Sequence, residues 1–574
     1  MPSEVDRLSQ GTRLRVDAPT ILVTVLLAGP VLAGLAGTAL PAFGYLPALG
    51  YGQFSFAPFQ QLFEAPGLVT SALLSLSTGL TASLLSLAIV LIFTAGWSGT
   101  QTFRRLTRFL SPLLSVPHAA AAIGLAFLIA PSGFVVRLVS PWATGWTRPP
   151  DILILNDPYG MAMTFGLVAK EVPFLFLMTL AALNRPRTED FFKAGAGLGY
   201  GRMATFFKIV LPQVYPMIRL PILAVVAYST SVVDVATILG PTTPPPLAPR
   251  LVAWMNDPDL TKRLMASAGA LLQLAVTLSA LVIYLCLEKL ARVLAHRQYQ
   301  SGHRFRQEGF SRFFSLLPML LIIIVMVLSL CLLVIWSAAK SWWFPAVLPQ
   351  AWSLSKMVDA VQMGSGSLAA TLFLAVVSAL LATSLTLWLL EARSHRNLAV
   401  NKRLKSYIFL PLLVPQIAFL FGLQMLFLLF GLSGTLLAVL LSHLIFVFPY
   451  AFLALSDPWD QLDPRYARAA RSIGAPRAKV FWKIQLPLLL RPVLVTIAVA
   501  AAVSVGQYLP TLMIGAGRIV TITTESVALA SGGNRQFASL YALLQLIVPL
   551  MGFLLAVLVP SLVHRNRAAM RLGK

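Results

Sequence analysis

The feature that most constrains this 574-residue chain is a series of long apolar segments. A helix needs about 20 apolar residues to cross the hydrocarbon core of a bilayer. With 57% hydrophobic and only 11% charged residues, the chain belongs to the membrane class of proteins. We predict an all-α integral membrane protein with about twelve transmembrane helices. The predicted spans are 19–41, 69–95, 109–130, 158–183, 216–240, 265–287, 314–337, 367–390, 407–430, 433–455, 492–515 and 537–562.

One polar segment occurs twice between these spans. Residues 199–212 read GYGRMATFFKIVLP and residues 474–487 read GAPRAKVFWKIQLP, which are identical at seven of fourteen positions. Each copy follows the fourth predicted span of its half, and self-similarity at long period indicates tandem copies of one structural unit. We therefore predict two six-helix units, 19–290 and 313–563, joined by a basic linker, 291–312.

Each copy is predicted to form a short helix, a glycine turn and a second short helix. In the second copy, Asp463 and Pro464 are typical of a helix start and Gly474 of a helix end. The first copy has Thr188 and Gly199 in the same places. The second short helix is expected to end before the proline that closes each copy, because proline disfavours helical backbone at the residue before it. We call these segments the first elbow, 188–212, and the second elbow, 463–487.

The distribution of basic residues predicts the orientation in the membrane. Most of the 44 Lys and Arg residues fall in the N-terminus, the elbows and the other loops on the same side. Because basic residues in short loops stay in the cytoplasm, we predict a cytoplasmic N-terminus (1–18), cytoplasmic elbows and a cytoplasmic tail (564–574). Membrane insertion also accounts for the net charge of +24, so no nucleic-acid partner is expected. The basic linker is expected to contact anionic lipid headgroups.

Signatures of catalysis and of metal binding do not appear in the sequence. The two cysteines lie in apolar segments, the six histidines show no ligand spacing, and no GxxxxGK[ST], GxSxG or HExxH motif occurs. We therefore predict no catalytic residue, no metal site and no cofactor in this chain. An enzyme is disfavoured.

The repeated segment resembles the signature of the permease subunits of type I ATP-binding-cassette importers. That signature reads E-A-A, three residues, Gly, nine residues, and I-x-L-P, and the nine-residue gap holds in both copies. The residues that carry the resemblance are Lys193, Ala194, Gly195, Gly199, Ile209, Leu211 and Pro212 in the first elbow, and Arg468, Ala469, Ala470, Gly474, Ile484, Leu486 and Pro487 in the second.

The chain departs from that signature at its leading Glu, which is replaced by Lys193 and Arg468, so no ionic contact through that acid is expected. Pro117 and Gly124 match Pro415 and Gly422 at the same spacing, and DVATILG at 234–240 also fits the family. A single chain holding both halves is most similar to thiamine and ferric-iron importers and to an uncharacterised thiamine-permease-like group.

The resemblance implies a transport subunit in the bacterial inner membrane. Two copies of a cytoplasmic ATPase, which would carry ATP and Mg²⁺, would dock on the elbows, and a periplasmic binding protein would deliver thiamine, ferric iron or another small solute. Apolar anchors for a groove on the ATPase would be Phe206, Phe207, Phe481 and Trp482, and polar contacts would come from Arg202, Lys208, Arg477 and Lys483. An alternative is that these aromatic residues hold an amphipathic helix at the membrane interface.

Polar residues inside the predicted spans are the candidates for a substrate pathway, because an ionisable group costs about 2.5–3.5 kcal/mol at the centre of a membrane helix. These candidates are Lys170, Glu171, Asp234, His443 and Gln507. The alternatives are a local ion pair between Lys170 and Glu171, a cap or surface position for Asp234, and helix–helix hydrogen bonds for Gln507. The rival function is a secondary transporter driven by an ion gradient, which needs paired acids at mid-membrane.

Overall fold

The computed structural model describes residues 18–184, 188–300, 304–396 and 402–563. Except for Ala18, the predicted terminal segments 1–18 and 564–574 lie outside these residues. The described residues form helices joined by short connections, together with one small hairpin. Since lipid offers no hydrogen-bond partners, spanning segments must satisfy their backbone groups internally, as helices do. The predicted all-α membrane fold is confirmed.

The helices of the first half extend from residue 18 to residue 300. A 3₁₀ turn occurs at Pro47–Leu49 and a π-helical turn at Phe206–Val210. In chain order the helices are α1 (Ala18–Ala42), α2 (Ala57–Glu64), α3 (Leu68–Trp97), α4 (Gln101–Leu113), α5 (His118–Ile129), α6 (Phe134–Val139), α7 (Met161–Leu183), α8 (Thr188–Gly197), α9 (Arg202–Thr205), α10 (Leu211–Thr230), α11 (Asp234–Leu239), α12 (Leu247–Met255) and α13 (Lys262–Gln300).

The second half repeats this order, with a π-helical turn at Phe481–Gln485 and an antiparallel pair of strands, β1 (Ala339–Ser341) and β2 (Ala351–Trp352). Its helices are α14 (Gly309–Ala338), α15 (Ser355–Met363), α16 (Ser365–His395), α17 (Lys402–Leu413), α18 (Gln416–Leu429), α19 (Leu436–Asp460), α20 (Pro464–Ser472), α21 (Arg477–Val480), α22 (Leu486–Leu488), α23 (Leu490–Val505), α24 (Tyr508–Gly515), α25 (Ile522–Ser531) and α26 (Arg535–Val563). The hairpin of the second half and α6 of the first half have no counterpart among the described residues of the other half.

Among the described residues, ten helices are long and apolar enough to cross a membrane, and two bent pairs raise the number to twelve. One bent pair is Arg403–Leu413 with Gln416–Leu429, at 92°. The spans predicted at 109–130 and 407–430 are each interrupted, since new helices begin at His118 and Gln416. Pro117 and Pro415 explain the breaks before His118 and Gln416, because the residue before a proline avoids helical backbone.

The fifth span of each half is broken, where the sequence predicted continuous helices at 216–240 and 492–515. In the first half α10 ends at Thr230 and α11 begins at Asp234, whose carboxylate suits a helix N-terminus. In the second half α23 gives way to α24 around Gly506. A continuous helix there would bring the ring of Pro510 against the carbonyl of Gly506.

The first helix of each half packs on the other half. Helix α1 crosses to α18, and α14 lies against α5. A methyl group placed on Gly422 would lie 2.0 Å from the carbonyl oxygen of Gly34, and one on Gly124 would lie 2.8 Å from that of Ser329. The N–H group of Gly422 also donates to Thr38 Oγ1, at 3.0 Å. The matched glycines in the two third spans therefore allow close helix contact, as small residues do in membranes.

The segment predicted as the linker, 291–312, is partly helical. Helix α13 continues to Gln300, and α14 begins at Gly309. Residues 301–303 lie outside the described part of the chain. The part of this connection that the structure describes outside the helices, 304–308, lies beside the first elbow.

Candidate functional site

A cavity of about 560 Å³ lies between the two halves. Its wall comes from α7 and α10 of the first half and from α19 and α23 of the second, together with the bends before α5 and α18. On α7 and α19 the lining continues to Ala182 and Asp457, near the ends that lead into the elbows, and on α10 and α23 it includes Tyr228 and Ala502, near the opposite ends. The cavity therefore reaches the elbow side of the molecule.

The first half supplies most of the ionisable groups in the cavity wall. Glu171 and Asp234 are both buried, with 4% and 6% of their surface exposed. Glu171 Oε1 lies 4.0 Å from Nδ1 of His118, and Tyr228 donates from its hydroxyl group to Asp234 Oδ1 at 3.4 Å. Asp234 thus does not have the surface position that the sequence left open, whereas its place as the first residue of α11 is compatible with the cap.

Lys170 also lies in this wall, where its ammonium group donates to the carbonyl oxygen of Leu114 at 3.0 Å and to that of Leu113 at 3.5 Å. These oxygens belong to the end of α4 and the bend that follows it. The ammonium charge is therefore stabilised by backbone dipoles that face it.

The second half places uncharged residues at the corresponding positions of the wall. In the sequence, Phe446 and Leu509 are separated from Gly474 by the same numbers of residues as Glu171 and Asp234 are from Gly199. Gln416 follows Pro415 as His118 follows Pro117, and it also lines the cavity. The duplication is thus symmetric in its helices and asymmetric in the charge of its cavity.

Gln507 and His443, the two remaining candidates from the sequence, lie in different surroundings. Gln507 is part of the cavity wall, and its buried Oε1 atom has no hydrogen-bond partner among the described residues. His443 is outside the wall, and its ring nitrogens bond to Ser504 Oγ at 2.9 Å and Thr511 Oγ1 at 2.8 Å. His443 therefore connects α19 with α23 and α24.

Sequence reasoning missed several polar residues of the wall, including His118, Tyr228, Tyr450, Asp457 and Tyr508. His118 had a usable signal, because it follows one of the two matched prolines. The tyrosines had none, since a tyrosine in an apolar span is equally compatible with a position at the lipid interface.

Both elbows have the predicted helix, glycine turn and second helix. Gly199 and Gly474 have left-handed backbones, with φ of +77° and +81°. The side chain of Asp463 caps α20 by accepting from the N–H group of Arg465, at 2.8 Å.

The third position of the E-A-A element is small because the two short helices of each elbow meet there. A methyl group on Gly195 would lie 2.3 Å from the side chain of Thr205. In the second elbow Ala470 packs with Val480 in a small apolar cluster. The neighbouring Ala194 and Ala469 are exposed, as are Lys193 and Arg468, which replace the family Glu.

The second short helix of each elbow does not end before its proline, contrary to the sequence prediction. It continues through the π-helical turns into helices that begin at Leu211 and Leu486, so Pro212 and Pro487 lie in a first helical turn. The missing N–H group of proline is tolerated at that position, and the π-helical turn absorbs the mismatch in the hydrogen-bond ladder. The other motif residues are half-buried: Ile209, Leu211, Ile484 and Leu486.

The four aromatic residues of the elbows differ in their accessibility. Phe206 is fully buried in the core of this chain, so it is not available as an anchor for a partner. Phe207 is 36% exposed and Trp482 is 64% exposed, whereas Phe481 is half-buried against the second half. Trp482 is accordingly the most accessible of the four.

The basic residues of the elbows also divide into two groups. Arg202 donates to the carbonyl oxygen of Ser98. Arg477 forms a bidentate ion pair with Glu391, in which its Nε and Nη2 atoms donate to the two carboxylate oxygens. These arginines connect each elbow to the end of the second span of its own half. Lys208 donates to the carbonyl oxygen of Gln298, at 3.2 Å, and Lys483 is exposed.

Comparison with known proteins identifies the family. Residues 379–568 match the model described as the binding-protein-dependent transport system inner membrane component. The chain is 32% identical over 520 residues to the inner membrane ABC transporter permease protein YnjC of Escherichia coli strain K12, which covers 90% of this chain and 93% of YnjC. This chain belongs to the ABC transporter permeases.

The match to YnjC extends over both halves of the permease, as expected for the fused form. A putative 2-aminoethylphosphonate transport system permease protein, PhnV of Salmonella typhimurium strain LT2, is 24% identical over 217 residues, which is 37% of this chain and 81% of PhnV. No solved structure matches the permease. These relationships show that the permease is a multi-pass inner membrane protein and a transport subunit.

The segment between the halves of the permease is bonded to the first elbow. Both carboxylate oxygens of Glu308 accept hydrogen bonds of 2.9 Å, from the backbone N–H groups of Met203 and Ala204 at the start of α9. The N–H group of Gly201 donates to the carbonyl oxygen of Arg304, at 3.0 Å. Glu308 thus caps the second short helix of the first elbow from a distant part of the chain.

We predict that Glu308→Ala loosens the first elbow. Loss of this cap costs about 1 kcal/mol, so amide exchange at 201–205 should become about fivefold faster. Hydrogen–deuterium exchange measured by mass spectrometry checks the result. Glu391→Ala is the matched control, since it should accelerate exchange in the second elbow instead. Unchanged exchange in the first elbow of Glu308→Ala would contradict the capping role.

Proposed function

We propose that this permease forms the substrate pathway of a bacterial importer and that its elbows couple the pathway to two separate ATPase subunits. The observation that carries the proposal is the continuity between the elbows and the cavity wall. Helices α7 and α19 lead from the wall into the elbows, and α10 and α23 lead back from the elbows into the wall. A force applied to either elbow would therefore act directly on helices that line the cavity.

The orientation that supports this proposal places both elbows in the cytoplasm, because basic residues concentrate on that side. The N-terminus and the C-terminus are then cytoplasmic as well. The cavity opens on the elbow side in this arrangement, which corresponds to a pathway that faces the cytoplasm.

Two copies of a cytoplasmic ATPase are the proposed partners at the elbows, and ATP and Mg²⁺ would be held by those subunits. The exposed apolar residues of the second elbow suit a helix-in-groove contact, namely Tyr466, Ile473 and Trp482. A periplasmic binding protein would deliver the solute on the opposite face.

The candidates for the solute are thiamine, ferric iron or another small molecule. The first two come from the resemblance of the fused chain to permeases of that kind. The relative PhnV is named for 2-aminoethylphosphonate transport, which extends the range of small solutes to be tested.

A secondary transporter is the competing function, and the pair of buried acids in one cavity, Glu171 and Asp234, favours it. The two functions differ in their energy source. In the proposed importer the purified complex contains two ATP-hydrolysing subunits per permease, and uptake in cells stops when those subunits are deleted. Uptake that persists without any ATPase and collapses with an uncoupler would establish the secondary transporter instead.

A further inference from the structure

Carboxyl groups outnumber cationic groups in the described wall of the cavity. Glu171, Asp234 and Asp457 contribute three carboxyls, and Lys170 contributes the one side-chain ammonium group. That ammonium group already bonds to two backbone carbonyl oxygens. Of these carboxyls, Glu171 and Asp234 are the two that we consider as contacts for a ligand between the halves.

Two buried polar atoms in the wall have no hydrogen-bond partner among the described residues: Nδ1 of His118 and Oε1 of Gln507. Gln507 is only 9% exposed. Buried polar atoms in folded proteins are nearly always hydrogen-bonded, to protein or to another molecule. These two atoms belong to opposite halves, on residues that line the cavity between them.

Several aromatic rings also line the cavity. Phe174 of the first half and Tyr450 of the second have ring centroids 6.4 Å apart, and Tyr228 and Tyr508 also line the space. Aromatic faces attract cations and pack against planar rings. The volume of about 560 Å³ falls in the range of small-molecule sites, about 300–1,000 Å³.

We propose that this cavity binds a small organic cation that contains a planar ring. The positive charge would face Glu171 and Asp234, and the ring would lie among the aromatic residues. The inference rests on the proposed function, since it names the class of solute that the pathway accepts. Glu171 and Asp234 belong to the first half, whereas the second half has Phe446 and Leu509 at the corresponding positions, so one fused chain presents a site that two identical halves could not form.

The charge of the cavity can be measured with thiol reagents of opposite charge. Ala502→Cys places a thiol in the wall of the second half, in a chain that also carries Cys286→Ser and Cys331→Ser. The protein in lipid nanodiscs is treated with methanethiosulfonate ethyltrimethylammonium or with methanethiosulfonate ethylsulfonate. The rate with the cationic reagent is divided by the rate with the anionic reagent, and this ratio is divided by the ratio measured for the same reagents with 2-mercaptoethanol in solution. The normalised ratio reports the local electrostatic potential, and we expect it to be about ten or more.

The acids are tested by Glu171→Gln and Asp234→Asn, each of which should lower the normalised ratio severalfold. Asp259→Asn, which changes an exposed acid in another loop, is the matched control and should leave it unchanged. The rate of the anionic reagent shows whether a variant keeps an accessible cavity, and Asp234→Glu should retain the parent's preference for the cationic reagent.

The planar ring of the proposed ligand is tested by protection of the introduced thiol. The cation 1-methylquinolinium should slow the reaction of that thiol much more than uncharged quinoline does.

A normalised ratio at or below one, or a ratio that neither acid variant lowers, overturns the proposal. Equal protection by the two quinolines overturns it as well. Either result leaves the proposed importer intact if the permease still carries two ATP-hydrolysing subunits. A cation-selective cavity in a chain whose uptake needs no ATPase would instead retain this inference and reject the importer.

Discussion

A permease with both turn glycines replaced, Gly199→Val and Gly474→Val, is expected to lose its ATPase subunits. Both residues have positive φ, where an L-residue costs about 1–2 kcal/mol and a β-branched one is especially unfavourable. A penalty of this size at each elbow should weaken ATPase binding about tenfold or more. Co-purification of the ATPase with the tagged permease measures the effect.

Position 474 gives the cleaner test of the two. No atom outside its chain neighbours lies within 4 Å of a methyl group built there, so only the backbone conformation opposes the substitution. At Gly199 the added methyl group would also displace the guanidinium end of Arg306, at 2.8 Å. Gly517→Val is the matched control, because this glycine has φ of +73° with the same open space and lies outside the elbows. Full ATPase retention by the double variant would show that the elbows are not the coupling surface.

A second large effect is expected from Gly422→Ala, which should destabilise the contact between α1 and α18. The new methyl group would lie 2.0 Å from the carbonyl oxygen of Gly34 and 2.5 Å from the N–H nitrogen of Thr38. These are backbone atoms of a packed helix, so relief requires moving α1 as a whole. Overpacking of this kind costs about 1–3 kcal/mol or more. Thermal unfolding followed by size-exclusion chromatography should show a lower Tm and less monodisperse protein.

Gly552→Ala provides the matched control for that experiment. It is the same substitution within a transmembrane helix, but its methyl group would meet Ala498 at 3.6 Å, an ordinary contact distance. Alanine favours helix by about 1 kcal/mol over glycine, so this variant should be as stable as the parent or more stable. Gly124→Ala should resemble Gly422→Ala, because its methyl group would lie 2.8 Å from the carbonyl oxygen of Ser329, in the contact between α5 and α14. Equal stability of all three variants would refute the close packing of the first helices.

The elbows show how far local sequence signals reach. The repeated Gly, Ile, Leu and Pro pattern was sufficient to place the turns, and Asp463 was correctly predicted as a cap. The same signals failed at Pro212 and Pro487, since a π-helical turn lets the helix pass through. They also could not separate buried Phe206 from exposed Trp482, because an aromatic residue in an apolar context is compatible with either position.

The sequence by itself determined the membrane class, the duplication, the elbows and the permease family, because these depend on the length of apolar segments and on short repeated patterns. The tertiary structure decided which residues meet. Only the packing of helices from both halves brought His118, Glu171, Asp234 and Gln507 into one wall and moved α1 onto α18. The physical reason is that lipid is as apolar as a protein core, so hydrophobic periodicity does not reveal which face of a membrane helix is buried.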